Sequence, residues 1–523
     1  MGPFARRIAG LAGAVLLALA SPAFGASKNV ELLDNLPEAA NATAINFLGY
    51  SGRSDVMLVT GRFGLKSYSL KDPGNPVLLD EITPEELRLQ GDPPVDFTPD
   101  ASGAPRSTFW QNEDMDVDRT RKLALLSRDP RAYAGSTTRG PGEPDPNGAT
   151  NIAGVYIVDA KNPKQLKLLA FQQLPTGHTT TCVNGCQALW TGGPAATTTQ
   201  QGAPLNWTFG RPIIVTDLTD PRNPHAFPMN PVDLFRRDGV TAYSHDVQVD
   251  DEGIAWVSGD GGTRGYWTSG RHYDPIQKQE RDATALDPIP YGGGGLPQTV
   301  TGDTTGGFEH NAWRPVGSSA PQGDSRYRRG ELLLATEEDF GPASEGCQNR
   351  GKFTIASLQG SFDGAAWRST AQDPYRLAVV GSWSPFGKEG SRSPSGPIHP
   401  LGNFCSAHYF DVDGSTVTYA WYGEGTRFLD ISDPANPEQF AYWRPDDGIV
   451  WASYMHKGYV YTADRTRGVD VLRLTSAAAA AARAGRAVAA PASSVQHRRF
   501  LRRQASRFKA DPGTAYICLI ETG

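Results

Sequence analysis

Apolar residues recur in short β-like runs that turn residues close, and one such phrase is repeated along the chain. The copies are LKSYSLKDPGNP at 65–76, VYIVDAKNP at 155–163, IIVTDLTDPRNP at 213–224 and FLDISDPANP at 428–437. Asp hydrogen-bonds to the turn backbone, while Pro fixes φ and lacks an amide donor. Each copy therefore predicts a strand that ends in a turn, with Asn162-Pro163 taking the Asp-Pro place in one of them.

A second pattern precedes each copy: a strand opens beside a polar residue, turns, and returns as a second strand that ends in small or acidic residues. The paired segments are 112–115 with 125–129, 177–179 with 189–192, 243–247 with 256–260, 309–311 with 333–338, 406–410 with 419–424, and 454–456 with 461–464. Segment 46–60 opens a further unit, which makes seven. The prediction is an all-β, seven-bladed β-propeller, with six or eight blades as alternatives.

These repeated phrases resemble the LVIVD repeat family, over most of 41–474. The resemblance implies that each unit is one propeller blade and implies no particular activity.

Composition supports the all-β prediction and narrows the class of partner. The 523 residues include 58 Gly and 40 Pro, which is typical of many short strands joined by turns. The net charge of −6 is too mild to indicate a nucleic-acid partner.

The two ends of the chain differ in character from the repeats. Residues 1–25 have two arginines, an apolar run and a small-residue region, which predicts a signal peptide cut after Gly25 and a secreted protein, either extracellular or in the cell envelope. A membrane span is the alternative, but the apolar run is short for a bilayer. The mature chain is expected to lack a transmembrane segment. The propeller is expected over 28–474, and 475–523 reads as a short, basic, helical tail that is either solvated or docks on an anionic surface.

The chain has five cysteines, and the predicted export would allow them to form disulfides. Cys182 and Cys186 bracket an Asn-Gly turn, which favours a disulfide over metal ligation. Cys347 and Cys405 are predicted to bridge neighbouring blades, leaving Cys518 unpaired.

Histidines recur where the predicted inner strands begin, and carboxylates recur where the second strands end. Because both positions meet at one mouth of a propeller, we expect a ring of imidazoles with carboxylates beside them. Imidazole and carboxylate together suit a divalent transition metal. The candidate ligands are His178, His245, His310, His408, His456, Glu309 and Glu424.

The sharpest expectation is that His245, His310 and His408 share one metal at an open mouth, with Glu309 or Glu424 as ligand or orienting group. Metal binding should then weaken as pH falls through the range near 6.5, where an unperturbed histidine protonates. The alternative is that these histidines tie strands together, as a histidine near the blade junction does in WD-repeat propellers.

Arginines form a third set, since Arg264, Arg427 and Arg467 begin the predicted third strands. A guanidinium can bind an anionic ligand bidentately, or it can pair with the acidic residues just before it in the chain.

A channel mouth lined by histidines and carboxylates is compatible with two functions. The first is an extracellular protein that binds a small molecule, glycan or protein there. The second is a metal-dependent oxidase, lyase or hydrolase that uses the same histidines and carboxylates.

Overall fold

The structure is a computed structural model of the chain. It describes residues 25–90, 92, 113, 115–128, 152–174, 176–193, 213–227, 244–259, 262–274, 277–291, 308–317, 320–321, 323–338, 351–358, 378–385 and 406–476. The predicted signal peptide up to residue 24, the tail from residue 477, and Cys347, Cys405 and Cys518 lie outside these residues.

The described residues form seven antiparallel sheets of at least four strands, each one a propeller blade. The N-terminal segment contains β1 (Gly25–Lys28) and β2 (Val30–Leu36), and a 3₁₀ turn at Pro37–Ala39 follows. Blade 1 is β3 (Ala42–Leu48), β4 (Val56–Gly61), β5 (Gly64–Ser69) and β6 (Val77–Ile82). Blade 2 is β7 (Met115–Asp118), β8 (Leu123–Arg128), β9 (Ala153–Asp159) and β10 (Lys167–Leu174). Blade 3 is β11 (Thr179–Val183), β12 (Ala188–Gly192), β13 (Ile214–Asp217) and β14 (His225–Ala226).

The remaining four blades follow in chain order. Blade 4 is β15 (Ser244–Val249), β16 (Ile254–Gly259), β17 (Gly262–Trp267) and β20 (Ile289–Pro290), with a hairpin of β18 (Arg271–Asp274) and β19 (Gln279–Asp282) inserted. Blade 5 is β21 (Phe308–Trp313), β22 (Leu332–Glu338), β23 (Phe353–Ser357) and β24 (Ala378–Trp383), with the single-turn helix α1 (Ser325–Arg328) before β22. Blade 6 is β25 (Phe410–Asp413), β26 (Thr416–Ala420), β27 (Thr426–Asp430) and β28 (Glu438–Pro445). Blade 7 is β29 (Val450–His456), β30 (Tyr459–Asp464) and β31 (Gly468–Leu474), completed by β2. The predicted all-β, seven-bladed propeller is confirmed.

The ring is closed by the N-terminal segment. Strand β2 pairs antiparallel with β31, from Val30 opposite Leu474 to Leu36 opposite Val469. Residues 30–36 therefore complete the last blade. Strand β1 also pairs with β28 as a fifth strand of blade 6, so the N-terminal segment covers the edges of two blades.

The repeated turns have one hydrogen-bonding scheme. In each, the backbone carbonyl of the Asp or Asn accepts from the residue three positions later, and its side chain accepts from the residue two positions later. These residues are Asp72, Asn162, Asp220 and Asp433. The turn chemistry that the phrases predict is therefore present in all four copies.

Hydrophobic side chains pack between neighbouring blades, and polar side chains tie the innermost strands together. Asp116 accepts a hydrogen bond from the backbone of Cys182 in the next blade at 2.7 Å, and Asp411 accepts one from Met455 at 2.7 Å. Cores such as that of Leu125, Trp190 and Val247 span adjacent sheets. This packing fixes where each inner strand begins, and so positions the side chains at the axis. No helix within the described ranges is long and apolar enough to cross a membrane.

Candidate metal centre

Four histidines from four successive blades meet at one end of the propeller axis. The ring centroids of His178 and His245 are 4.5 Å apart, those of His245 and His310 are 4.5 Å apart, and those of His310 and His408 are 3.9 Å apart. The Nε2 atoms of His178 and His245 are separated by 2.7 Å. We call the end of the axis where these inner strands begin the histidine end.

Glu113, which lies just before the inner strand of blade 2, reaches into the middle of this group. Its Oε2 atom is 3.3 Å from Nε2 of His178, 3.2 Å from Nε2 of His245 and 3.0 Å from Nε2 of His310. Its Oε1 atom is 3.6 Å from Nε2 of His408. All five residues are at most 6% exposed, so the group is enclosed and not set in an open mouth. We call these five residues the His₄Glu cluster.

Glu113 was not among the carboxylates predicted from the sequence. Its position carries a signal, because it opens the inner-strand pattern of the second unit where the later units carry histidine. The distance in sequence to its partners, from 65 residues for His178 to 295 for His408, hides the contact from any local pattern.

A local irregularity of the inner strands aims the histidines at the axis. The pairing of β15 with β16 skips His245, and the pairing of β21 with β22 skips His310. His408 makes a similar arrangement, since both it and Tyr409 are hydrogen-bonded to Ala420. An extra residue of this kind leaves the regular alternation of a strand and redirects a side chain.

Backbone carbonyls of the next blade hold two of the imidazoles. His245 Nδ1 is 3.1 Å from the carbonyl oxygen of His310, and His408 Nδ1 is 2.6 Å from that of Trp451. A carbonyl only accepts, so Nδ1 carries the proton and Nε2 keeps its lone pair. This is the arrangement that orients metal-ligating histidines in proteins.

Gly193 makes room for His178. A Cβ atom at Gly193 would lie 2.1 Å from Cβ of His178, and the backbone there has φ of +110°, which favours glycine. Only glycine therefore fits beside this imidazole without displacement.

Burial and charge set the protonation of the cluster. Burial lowers the pKa of His245 to about 4, with a further contribution from nearby His178. Burial, then the charges of His408 and His245, hold the pKa of His310 well below its usual range. For Glu113, burial acts to raise the pKa, but the charges of His178 and His408 hold it well below its usual range. The carboxylate is therefore ionised, with His245 and His310 neutral near pH 7.

The ligand atoms are close enough for a shared ion. Glu113 forms one group with His178 and His245 and another with His310 and His408, and within each group the ligand atoms lie within 4.8 Å of one another. Two nitrogens bound at 2.0–2.1 Å to one metal are at most about 4.2 Å apart. His408 Nε2 is buried without a hydrogen-bond partner in the described structure, although Glu113 is near. Each of the two groups by itself, two histidines with Glu113, therefore fits a divalent transition metal.

Aromatic and acidic side chains surround His408. Tyr409 Oη is 3.4 Å from Glu113 Oε2, and Tyr422 Oη donates a 2.5 Å hydrogen bond to Glu338 Oε1. Burial raises the pKa of Glu338 to about 7; the charge of His408 opposes this shift and that of Glu113 adds to it. Glu338 is thus a carboxyl group that can exchange a proton near neutral pH.

The predicted carboxylate ligands lie elsewhere. Glu309 is buried opposite Glu337 in the ladder of blade 5 and is not part of either group of converging ligand atoms. Glu424 accepts a 2.6 Å hydrogen bond from Arg427. The physical reason is the alternation of a strand: Glu309 precedes the irregular position that turns His310 to the axis, so its side chain takes a different direction.

His456 lies at the opposite end of its inner strand from the other histidines, because it is the last residue of β29. Its Nε2 atom is 2.9 Å from Asp55 Oδ2, and its ring stacks on Phe47 at 4.2 Å. Lys457 also contacts Asp55. We call His456 and Asp55 the far-end pair.

The three arginines occupy different settings. Arg427 is fully buried between Glu424 and Gln439, and burial lowers its pKa to about 10, against the opposing charge of Glu424. Arg467 contacts Asp447 and Asp470 at 2.9 and 3.0 Å. Arg264 is partly buried on β17 opposite Val257. Arg427 pairs with the acidic residue just before it, as the ion-pair alternative predicts, whereas Arg467 forms ion pairs with other acidic residues.

The Asn-Gly hairpin of blade 3 carries the predicted disulfide. Cys182 and Cys186 are bonded, with Cα atoms 4.4 Å apart. Asn184 and Gly185 both have positive φ, as a tight hairpin turn of this type requires.

Comparison with known proteins found similarity only to solved structures. No protein-family model matches the chain, and no curated protein matches it. The structure described as RRP9 WD40 repeats is similar at 8% identity with a TM-score of 0.41, over 85% of this chain and 97% of that one. The extracellular domain of the putative one component system BT4673 from B. thetaiotaomicron is similar at 10% identity with a TM-score of 0.40, over 84% of this chain and 40% of that one.

The blade topology and the site define the class of this protein. It is a seven-bladed β-propeller with a buried histidine and carboxylate cluster on its axis.

Proposed function

We propose that this protein is an exported, metal-dependent enzyme of the oxidase, lyase or hydrolase type, with its metal held by the His₄Glu cluster. One observation carries the proposal: four imidazoles converge through Nε2 on one ionised carboxylate, in a buried site. We also propose that the protein belongs to the LVIVD repeat family. The repeated phrases of the sequence are the only support for this part of the proposal.

The donor set indicates the kind of metal. Imidazole nitrogens with one carboxylate suit iron, copper, zinc or nickel better than the oxygen-seeking calcium or magnesium. When bound, such a metal would supply Lewis-acid or redox chemistry at this position.

The chain's own residues supply binding and proton transfer. One of the two groups, Glu113 with His178 and His245 or Glu113 with His310 and His408, would hold the metal, and the carboxylate would balance its charge. Glu338, hydrogen-bonded to Tyr422, is placed beside His408 to give or take a proton near neutral pH. Burial excludes water, which strengthens each of these electrostatic interactions.

Export is the less direct part of the proposal. The predicted signal peptide supports it, and so does the disulfide of blade 3, since disulfides persist in oxidising compartments.

The second candidate is an extracellular ligand- or partner-binding propeller in which the same metal is structural. The enclosure of the His₄Glu cluster favours it, because structural metal sites are closed whereas catalytic sites keep an open position. The ligand would be a small molecule, glycan or protein at the histidine end.

Metal analysis of the purified full-length protein tests the proposal, followed by spectroscopy of the Co²⁺-substituted form with added azide. One tightly bound ion per chain and a spectrum that azide changes are expected for an enzyme with an open position. An unchanged spectrum supports the structural role, and absence of stoichiometric metal contradicts both. Glu113→Gln keeps the volume of the side chain and should lower the affinity for the metal by removing the charge.

A further inference from the structure

The His₄Glu cluster covers only part of the axis. Blades 2 to 6 contribute Glu113 and the four histidines, whereas the described residues of blades 7 and 1 contribute none of the converging ligand atoms. The pairing of β29 with β30 skips Trp451, and that of β3 with β4 skips Thr43. Trp451 and Thr43 therefore hold, in blades 7 and 1, the place that His245 and His310 hold in blades 4 and 5.

Trp451 is in direct contact with the cluster. Its ring centroid is 4.7 Å from that of His408 and 5.2 Å from that of Tyr422, and its carbonyl accepts the hydrogen bond from His408 Nδ1. The guanidinium of Arg465 lies 4.9 Å from the centre of the Trp451 ring. The side of the cluster that lacks ligands is thus lined by aromatic rings with a positive charge nearby.

The indole N–H of Trp451 is a buried donor without an acceptor among the described residues. The residue is 8% exposed, so bulk water does not readily satisfy this donor. Three other buried tryptophans, Trp190, Trp256 and Trp443, donate to acceptors at 3.0, 2.9 and 2.8 Å, whereas Trp313 shares with Trp451 an indole N–H that has no acceptor among the described residues. A buried donor without a partner in a protein calls for an explanation, and a bound ligand is one.

We propose that the sector of blades 7 and 1 binds the substrate of the metal centre, and that this substrate is a small planar organic anion. The indole N–H of Trp451 donates to its anionic oxygen, and Arg465 supplies the opposite charge. The planar body stacks on the ring of Trp451, while the ring of Tyr422, which is nearly perpendicular to that of Trp451, lies at its edge. The inference rests on the proposed function, because the metal is what the substrate faces.

The contacts favour an anion over a neutral apolar molecule. An apolar ligand would leave the Trp451 donor unsatisfied, which costs about as much as a lost hydrogen bond. A purely hydrophilic ligand such as a sugar would make little use of the flat faces of Trp451 and Tyr422, although aromatic rings do line many small-molecule sites.

Calorimetric titration of the metal-loaded protein with benzoate tests the proposal, with benzamide as the neutral analogue. Trp451→Phe keeps the ring and removes the donor, and we expect the Kd for benzoate to rise about tenfold, as for the loss of one hydrogen bond to a charged group. Trp313→Phe is the matched control, since Trp313 is 1% exposed, also has an unpartnered indole N–H, and belongs to the opposite end of its inner strand. It should leave the Kd within about twofold of the unsubstituted protein.

Arg465→Gln provides a second variant in case Trp451→Phe fails to fold. It should weaken benzoate and leave benzamide unchanged. Equal benzoate affinities in the unsubstituted protein and in either variant would overturn the inference while the metal centre stands. A chain that takes up no metal instead overturns the proposed function, and this inference with it.

Discussion

The two ends of the inner strands both place histidine beside carboxylate, yet they form different kinds of site. At the histidine end, five side chains from five blades converge and each is nearly inaccessible to solvent. At the far end, His456 and Asp55 form one pair whose side chains are 19% and 16% exposed, with Lys457 on the same carboxylate.

The difference shows that convergence and burial, and not the residue types, make a metal site. At the far end, solvent and Lys457 compensate the charge of Asp55, so no ion is required. At the histidine end, four buried imidazoles surround one carboxylate, Glu113, which has no lysine or arginine partner among the described residues. A cation completes such a group, whereas the far-end pair is already complete.

The largest expected contrast is in metal affinity. Structural zinc in a protein is worth about 10–16 kcal/mol from four ligands, so one ligand corresponds to about 2.5–4 kcal/mol, or about 70- to 1,000-fold in Kd. His245→Gln should weaken metal binding by about this factor, as measured by competition with a chromophoric chelator. His456→Gln is the control and should leave the affinity unchanged. Equal losses in the two variants would show that the comparison is wrong.

The next contrast is in the pH dependence of the metal-free protein. Because the pKa of His245 is lowered to about 4, the unfolded chain binds a proton below pH 6.5 that the folded chain does not. Stability should therefore fall as pH falls from 6.5 to 4, by about 3 kcal/mol from this residue. Urea unfolding with a chelator present, between pH 4 and 8, measures it.

His245→Gln should flatten that profile. His225→Gln, at an exposed histidine of the outermost strand of blade 3, should not. If both variants keep the full slope, His245 is not the group responsible. In the metal-loaded protein the same lowered pKa values keep the ligands unprotonated, so binding should survive below the pH of 6.5 expected from the sequence.

A substitution at Gly193 tests the comparison further, because it displaces the imidazole of His178 without removing it. Gly193→Ala forces a Cβ atom against His178, whereas Gly253→Ala also has positive φ but meets nothing within 4 Å. Gly193→Ala should therefore destabilise by about 2 kcal/mol more than Gly253→Ala, the usual cost of overpacking. It should also weaken metal binding, which Gly253→Ala should not. Thermal unfolding and chelator competition on both variants decide the point.

The smallest effect is expected at the far end. Asp55→Asn removes a partly exposed ion pair, which is worth about 0.5–1 kcal/mol. Metal content should not change. A loss of several kcal/mol in urea unfolding, or a loss of metal, would mean that the far-end pair is coupled to the His₄Glu cluster.

The repeats made the architecture predictable from the sequence. Apart from the N-terminal strands that join blades 6 and 7, each blade is built from strands that follow one another in the chain. The turns after β5, β9, β13 and β27 are fixed by an Asp or Asn that bonds to its own neighbours. Closure by β2 was also predictable, because an unpaired edge on the last blade needs a strand and the N-terminal segment was left over.

The sequence by itself indicated that His178, His245, His310 and His408 begin inner strands and share one end, but it grouped His456 with them. Only the tertiary structure decided that Glu113 joins them, that Glu309 and Glu424 do not, and that His456 lies at the far end. The physical reason is that one residue of shift reverses the direction of a strand side chain. Irregular positions such as those at His245 and His310 are set by packing against the next blade, which no local pattern records.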